Sequence, residues 1–291
     1  MDDRYRFFAG CIARLKLPHI EMSVRKVLSA TGFDLEDEAG FTCCPDPVVF
    51  RSASREEWLA VAARNLSLNG DDPIVTLCPG CASSLSEARH MLHQDAQLAA
   101  DVGARLDRLG LRLGLPKVSH FVRLLCEGDV PKLLEGMLSK RLEGLKVACH
   151  YGCHLVRPSD AVGFDDPEKP RSLDDLVGLT GAISLDYEDK YLCCGRPSLD
   201  EATSMAIAEH KLESMSKAGC DVVVVACPFC FEQFELGQVV ISRKSGKDFG
   251  LPVLYVSQLL GLAMGMEPDK VGLNFHKIPL KKLGYCDDAT I

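Results

Sequence analysis

No run in this sequence approaches the ~20 apolar residues that a membrane-spanning helix needs. Positive charge is not in excess either. Asp and Glu number 41 against 33 Lys and Arg, a net charge of −8 at pH 7. That balance argues against nucleic acid or an anionic membrane surface as the main partner. Met1-Asp2-Asp3-Arg4 lacks the basic start and apolar stretch of a signal peptide, so the expectation is a soluble cytoplasmic protein. Also missing is the Cys-x2-Cys-x2-Cys-x3-Cys-Pro run that binds cubane clusters in bacterial ferredoxins. A chain without that run has no cubane relay of its own to bring electrons in.

Cysteine, by contrast, is plentiful: 14 in 291 residues. In a reducing compartment that many thiols more often serve as ligands than as disulfides. Ten of them form one pattern used twice. The first copy is Cys11, then Cys43-Cys44, then Cys78-Pro79-Gly80-Cys81; the second is Cys153, then Cys193-Cys194, then Cys227-Pro228-Phe229-Cys230. The intervening stretches are 31 and 33 residues in the first copy and 39 and 32 in the second. Ala9-Gly10-Cys11 matches Tyr151-Gly152-Cys153, and Gly114-Leu115-Pro116 matches Gly250-Leu251-Pro252. Repetition at this separation predicts two related domains, residues 1–143 and 144–291.

Local patterns predict an α/β fold. Tyr5 to Ala9, Ile74 to Leu77, Lys146 to Cys149 and the four valines within Asp221 to Ala226 read as strands. Helices are expected over residues 19–31, 54–68, 82–92, 95–113, 120–125, 131–142, from about 173, 202–218 and 231–237. After Gly265 the tail is polar and punctuated by Gly and Pro, and is expected at the surface or against a partner. Each Cys-Pro-x-Cys then lies at the carboxyl end of a strand and the start of a helix. Ligand sites in open parallel sheets lie there, and the free N–H groups of a helix start favour thiolate over thiol.

Four thiolates satisfy zinc or a cubane cluster, and five per domain is one too many for either. A vicinal Cys-Cys pair does not easily give both sulfurs to one tetrahedral ion, but it can flank several irons. A lone CxxC would read as a redox disulfide or half a zinc site; the adjoining pairs favour a metal cluster. Of the remaining thiols, Cys149 competes with Cys153 for the first position of the second set, and Cys153 is preferred because Gly-Cys repeats. Cys126 and Cys220 read as small buried residues, and Cys286 has no counterpart.

The ten cysteines, with Gly10, Pro45, His150-Tyr151-Gly152-Cys153-His154 and Gly195, resemble the cysteine-rich CCG domain family, in the two-copy form of heterodisulfide reductase B subunits. The resemblance runs from Phe7 to about Leu260. One departure is Pro45, where the motif has glycine after the cysteine pair. The resemblance implies two tandem, pseudo-twofold-related Rossmann-like domains with parallel sheets. It implies two noncubane 4Fe-4S clusters, each held by five cysteines, and two-electron reduction of the coenzyme M–coenzyme B heterodisulfide. It also implies electrons from a C subunit with cubane 4Fe-4S clusters and a flavin-containing A subunit, with hydrogenase or formate dehydrogenase beyond, and so places the chain in methanogenesis with electron bifurcation in its complex.

An anionic disulfide needs local positive charge on an acidic protein. Arg14, Lys16, Arg157 and Arg196 follow cluster cysteines closely and are the candidates, each weighed against an ordinary solvated side chain. His154 adjoins a ligand cysteine and is the candidate proton or hydrogen-bond donor. His150 is expected to be a satisfied strand-end histidine, and Phe7, Phe8 and Tyr151 to pack the core. Rival readings are an electron-transfer subunit without chemistry of its own, another disulfide-reducing or sulfur-transferring complex, zinc in one set, and direct redox chemistry at Cys78 and Cys81.

Overall fold

The computed structural model describes residues 4–280. It contains two four-stranded sheets, each entirely parallel. The first has β1 (Arg4–Phe8), β2 (Asp34–Asp37), β3 (Ile74–Thr76) and β4 (Val118–His120), in the order β2-β1-β3-β4. The second has β5 (Lys146–His150), β6 (Ile183–Leu185), β7 (Val222–Val225) and β8 (Val253–Tyr255), in the order β6-β5-β7-β8. The order repeats strand for strand, as the cysteine pattern does. Arg6 pairs with Ile74 as Ala148 pairs with Val223, so β1 and β5 are equivalent in register as well as in place.

Burial explains the strands. Every residue of β3, β4, β7 and β8 is buried: β3 and β7 are inner strands of their sheets, and the edge strands β4 and β8 are covered as completely. Four consecutive valines at β7 combine stiff β-branched side chains with that double-sided burial. One apolar core runs through both halves. The helix Pro18–Ala30 of the first half lies on Val256–Ala263 of the second, with Ser23 and Ser257 hydroxyls 2.7 Å apart, and Phe121–Cys126 packs on Ser172–Leu179.

Several elements differ from expectation. The helix expected over residues 95–113 stops at Asp107, where Gly110 takes φ +71° and the next amides fold back on Leu106 and Asp107. The helix expected over 131–142 is Val130–Met137; beyond it Lys140 N–H and Leu142 N–H donate to Ala263 and Thr180 carbonyls of the second half. The helix after Cys227 is longer than expected, Pro228–Ser245, and Gly246 closes it in the left-handed region. The tail is not a surface appendage as far as residue 280: Val271, Leu273, His276 and Leu280 are buried on the protein itself. Cys286 lies outside the described residues. Among the described residues no helix is long and apolar enough to cross a membrane.

Candidate metal centres and the hollow between them

Each half builds its thiol set in the same way. A buried strand delivers a glycine in the left-handed region, Gly10 or Gly152, both at φ +75°. A Cβ on Gly10 would lie 3.0 Å from Cys81 Sγ, and one on Gly152 would lie 3.2 Å from Cys227 Cβ. The chain can therefore pass the CxxC pair at this distance only as glycine. Cys11 opens a short helix after Gly10, and Cys153 a turn of 3₁₀ helix after Gly152. The inner strands β3 and β7 end immediately before Leu77-Cys78 and Ala226-Cys227; Pro79 and Pro228 then start the helices that carry Cys81 and Cys230.

The paired-cysteine loops are held from beneath. Asn65, fully buried, accepts from Thr42 N–H at 3.0 Å and donates to the Cys43 carbonyl at 2.8 Å. Trp58 Nε1–H donates to Ser84 Oγ at 2.9 Å, and Ser84 in turn donates to the Pro45 carbonyl. In the second half Gly195 after the pair sits at φ +88°, where a Cβ would meet Ser204 O at 2.8 Å. Lys211 Nζ and Ser214 Oγ donate to the Asp189 and Glu188 carbonyls just before the pair.

Among the described residues no cysteine forms a disulfide, and the ten predicted ligands fall into two clusters whose members hydrogen bond to one another. Cys230 Sγ donates to Cys194 Sγ at 3.4 Å. Bonds from Cys43 and then Cys81 hold Cys44 down to about 6, and bonds from Cys153 and Cys194 hold Cys193 down to about 2. The donors shift in the opposite direction: Cys43 pushes Cys11 up, and Cys193 pushes Cys194 up to about 12. Five sulfurs drawn together with no Cβ in the way are a donor set that fits a thiolate-bound metal group, not a set of buried spectators. Cys149 is elsewhere: Ser184 Oγ donates to it at 3.3 Å, and burial raises its thiol above the ordinary range.

The two sets meet. Cys78 and Cys227, first members of the two CxxC pairs, face each other across the boundary between the halves, close enough that each thiol shifts the other, Cys78 down and Cys227 up. A hollow open to solvent, about 550 Å³ with its mouth included, lies at the second set, lined by Cys153, His154, Cys193 and Phe229 but also by Asp46, Pro47 and Gly80 of the first half. A second, of about 410 Å³, lies at the first set and is closed in part by Pro228 and Phe229 of the second half. Asp46, Pro47, Gly80 and Phe229 line both.

Behind this junction sit two residues the sequence did not mark. Tyr255 at the end of β8 places its hydroxyl within bonding reach of the Leu77 and Ala226 carbonyls, the latter at 2.6 Å. His120 at the end of β4 donates from Nε2 to Leu77 O at 2.9 Å, with Val122 N–H donating to its Nδ1. Burial lowers His120 to about 4, so it stays neutral. These carbonyls belong to the residues just before Cys78 and Cys227. The Gly-Leu-Pro repeat that precedes both strands was the available signal.

His154 lines the larger hollow, with Nδ1 3.6 Å from Cys153 Sγ; burial lowers its pKa. The four basic candidates are engaged with partners. Lys16 and Arg196, from opposite halves, both pair with Glu232, at 2.8 and 3.0 Å. Arg14 pairs with Asp37 at 2.9 Å, and Arg157 donates to the Pro167 carbonyl. None of the four lines either hollow. Phe7, Phe8 and Tyr151 are core residues, as expected. His150 is not the satisfied histidine expected of it. It is 1% exposed, and among the described residues neither ring nitrogen has a hydrogen-bond partner.

Two parallel-sheet domains with paired five-thiol sites define a scaffold for thiolate-bound metal groups. The family description "cysteine-rich domain" (CCG) matches residues 5–86 and 147–235. The chain is 39% identical to the B subunit of the ferredoxin:CoB-CoM heterodisulfide reductase of Methanosarcina mazei, over 95% of this chain and 94% of that protein. It is 40% identical to the B subunit of the ferredoxin/F(420)H(2)-dependent CoB-CoM heterodisulfide reductase of Methanosarcina acetivorans, over 93% and 92%. It is 28% identical to the 8-methylmenaquinol:fumarate reductase membrane anchor subunit of Wolinella succinogenes, over 98% and 100%. The chain belongs to the CCG cysteine-rich domain family and, within it, to the family of heterodisulfide reductase B subunits, which are oxidoreductases.

Proposed function

We propose that this chain is the catalytic subunit of a disulfide reductase, and that its substrate is the mixed disulfide of coenzymes M and B. The observation that carries this reading is the meeting of the two thiol sets at Cys78 and Cys227, with hollows that share Asp46, Pro47, Gly80 and Phe229. Cleaving one S–S bond consumes two electrons and two protons and yields two thiols. Two noncubane 4Fe-4S clusters, when bound, would supply one electron each. Cys11, Cys43, Cys44, Cys78 and Cys81 would hold one, and Cys153, Cys193, Cys194, Cys227 and Cys230 the other.

The remaining roles fall to this chain's own side chains. Phe229 and Pro47 present apolar surface that keeps water from the hollows. His154 is the ring N–H nearest the hollow and serves as the donor to a released sulfur. Arg14, Lys16, Arg157 and Arg196 remain the proposed contacts for anionic groups. Of these, Lys16 and Arg196 are best placed, because both converge on Glu232, two residues after Cys230. The electron donors are proposed to be partner subunits carrying cubane clusters and flavin. Leu15, Leu192 and Leu199 support a docked partner: all three are exposed, and they stand on the Cys11 helix and around the Cys193-Cys194 loop. The division of domains at residues 143 and 144 is likewise a proposal, lying between the last strand of one sheet and the first of the next.

The fumarate reductase subunit among the relatives favours a second reading, electron transfer without disulfide chemistry in this chain. Iron, zinc and acid-labile sulfide per chain, measured on protein prepared without oxygen, come first. About eight irons and eight sulfides, with negligible zinc, support two four-iron groups; about four irons and one zinc refute delivery from both sites. Turnover of the heterodisulfide with a reduced viologen then separates the two readings. A loaded chain that exchanges electrons with the dye but releases no thiol is a relay.

A further inference from the structure

Phe8 and His150 hold equivalent places. Each ends its strand two residues before the left-handed glycine, and each pairs with the residue two before the CxxC motif: Phe8 with Thr76, His150 with Val225. Their surroundings differ. Phe8 packs on Phe41, ring centres 4.8 Å apart. His150 sets its ring edge-on to Phe234 at 4.9 Å, and a ring nitrogen comes within 4.8 Å of both Cys194 Sγ and Cys230 Sγ. Both of its nitrogens are buried and unpartnered among the described residues. A buried polar group left unpaired is costly, and the usual resolution is a partner that is yet to be bound. The acceptors toward which this ring can turn are sulfurs at the second set.

A second asymmetry points the same way. The helix under the first cysteine pair reaches a loop carbonyl with neutral Asn65; the helix under the second does so with Lys211, which is 1% exposed. Cys193, Cys194 and Cys230 all feel the lysine's charge. Hydrogen bonds to sulfur and nearby positive charge both stabilise the more negative, reduced form of a thiolate-bound iron–sulfur group, and so raise its potential.

We propose that His150 is a positioning residue for the second group: its ring N–H donates to a sulfur of the group held by Cys153, Cys193, Cys194, Cys227 and Cys230, and makes that group easier to reduce than the one in the first half. The proposal rests on the reading above, that both sets carry iron–sulfur groups. The two sites are then not interchangeable. An electron pair delivered through this chain reaches the second site at the lower free energy, and the first site is the stronger reductant toward whatever lies in the hollow.

The full chain, prepared without oxygen and with its metal, is labelled with 15N-histidine and compared with H150F by metal analysis, potentiometric titration and pulsed EPR. Fewer than two iron–sulfur groups in the wild-type chain overturns the underlying reading, and the proposal with it. With two groups present, the expected result is a weak nitrogen coupling on the second group alone, lost in H150F. The second potential falls toward the first in H150F, while iron content holds. A coupling that survives in H150F belongs to His154, and unchanged potentials at full iron content mean that His150 donates nothing; either overturns the proposal. Loss of iron from the second set alone would make His150 a ligand and overturn it as well. H150Q keeps an N–H donor in a similar volume and is expected to retain most of the wild-type potential. Should H150F not fold, a wild-type-like H150Q potential together with the wild-type coupling supports the proposal, and absence of the coupling refutes it.

Discussion

Asn65 offers a direct test of how the first metal centre is held. Its amide reaches the Cys43-Cys44 loop three times: Oδ1 accepts from Thr42 N–H at 3.0 Å and from Thr42 Oγ1 at 3.2 Å, and Nδ2 donates to the Cys43 carbonyl at 2.8 Å. Asn65→Leu keeps the volume and removes all three. Each bond is worth about 0.5–1.5 kcal/mol net, and Thr42 and Cys43 are exposed enough for water to replace part of the loss. The loop should therefore open more easily by about 2–3 kcal/mol, which is roughly a 30-fold to 160-fold rise in amide exchange. Hydrogen exchange read by mass spectrometry on the peptide around residues 41–48 measures this on the native chain. The loop before Cys193, held instead by Lys211 and Ser214, is the internal control. Iron should leave the first set sooner than the second when a chelator is added. Exchange at Thr42 within threefold of wild type would show that Asn65 does not hold the loop, and the argument would fall.

Other outcomes follow from the same geometry. Gly195→Ala places a Cβ 2.8 Å from Ser204 O and 2.9 Å from Ile207 Cβ in a residue at φ +88°. It should cost about 2–5 kcal/mol in thermal unfolding, whereas Gly136→Ala, facing open space within a helix, should be neutral or slightly stabilising. Tyr255→Phe removes the hydroxyl between the Leu77 and Ala226 carbonyls; His120 still serves Leu77, so the cost should be about 1–2 kcal/mol by thermal unfolding. A cost near zero would deny the hydroxyl a structural share. Burial raises Glu235 from the ordinary carboxyl range to about 7, despite amide bonds from Lys277 and Ile278. A folded-state value above the unfolded one means the native state holds more protons, so this contribution is complete below about 4.5 and is lost as pH rises through about 7. Neighbouring His19 and His276, lowered by burial to about 4 and about 3, act with the opposite sign as pH falls below about 6.5. Glu235→Gln isolates the carboxyl: its stability relative to wild type should rise by roughly 3 kcal/mol between pH 4.5 and 8, and a pH-independent difference would refute the assignment.

Much of this was legible because two kinds of signal coincide. The valines of β7 and the apolar run before Cys78 mark strands by themselves, and the cysteine spacing fixes what lies at their ends. Ten cysteines expected together are together, since each sits on a local feature (a glycine turn, a proline-started helix, a paired loop) that the chain encodes within a few residues. The long-range partners were hidden. His120 and Tyr255 do equivalent work with unlike side chains, so repetition did not reveal them. His150 read as an ordinary strand-end residue because sequence shows no hydrogen-bond count. The tail after Gly265 looked polar, yet Val271 and Leu273 flank Gly272, whose backbone at φ +78° lies so close to His19 that a Cβ would come within 2.5 Å of it. Such an approach depends on the partner helix, which no local pattern records.

The covalent joining of two like halves has a consequence of its own. Were each half a separate polypeptide assembled as a twofold dimer, any substitution would appear on both sides of the axis, and the two sites would have to stay identical. A tandem chain escapes that constraint. Phe8 against His150 and Gly80 against Phe229 are equivalent places where the two copies differ. The strand order is thus repeated in the backbone while the side chains at the sites differ, and a single gene product gains a front and a back.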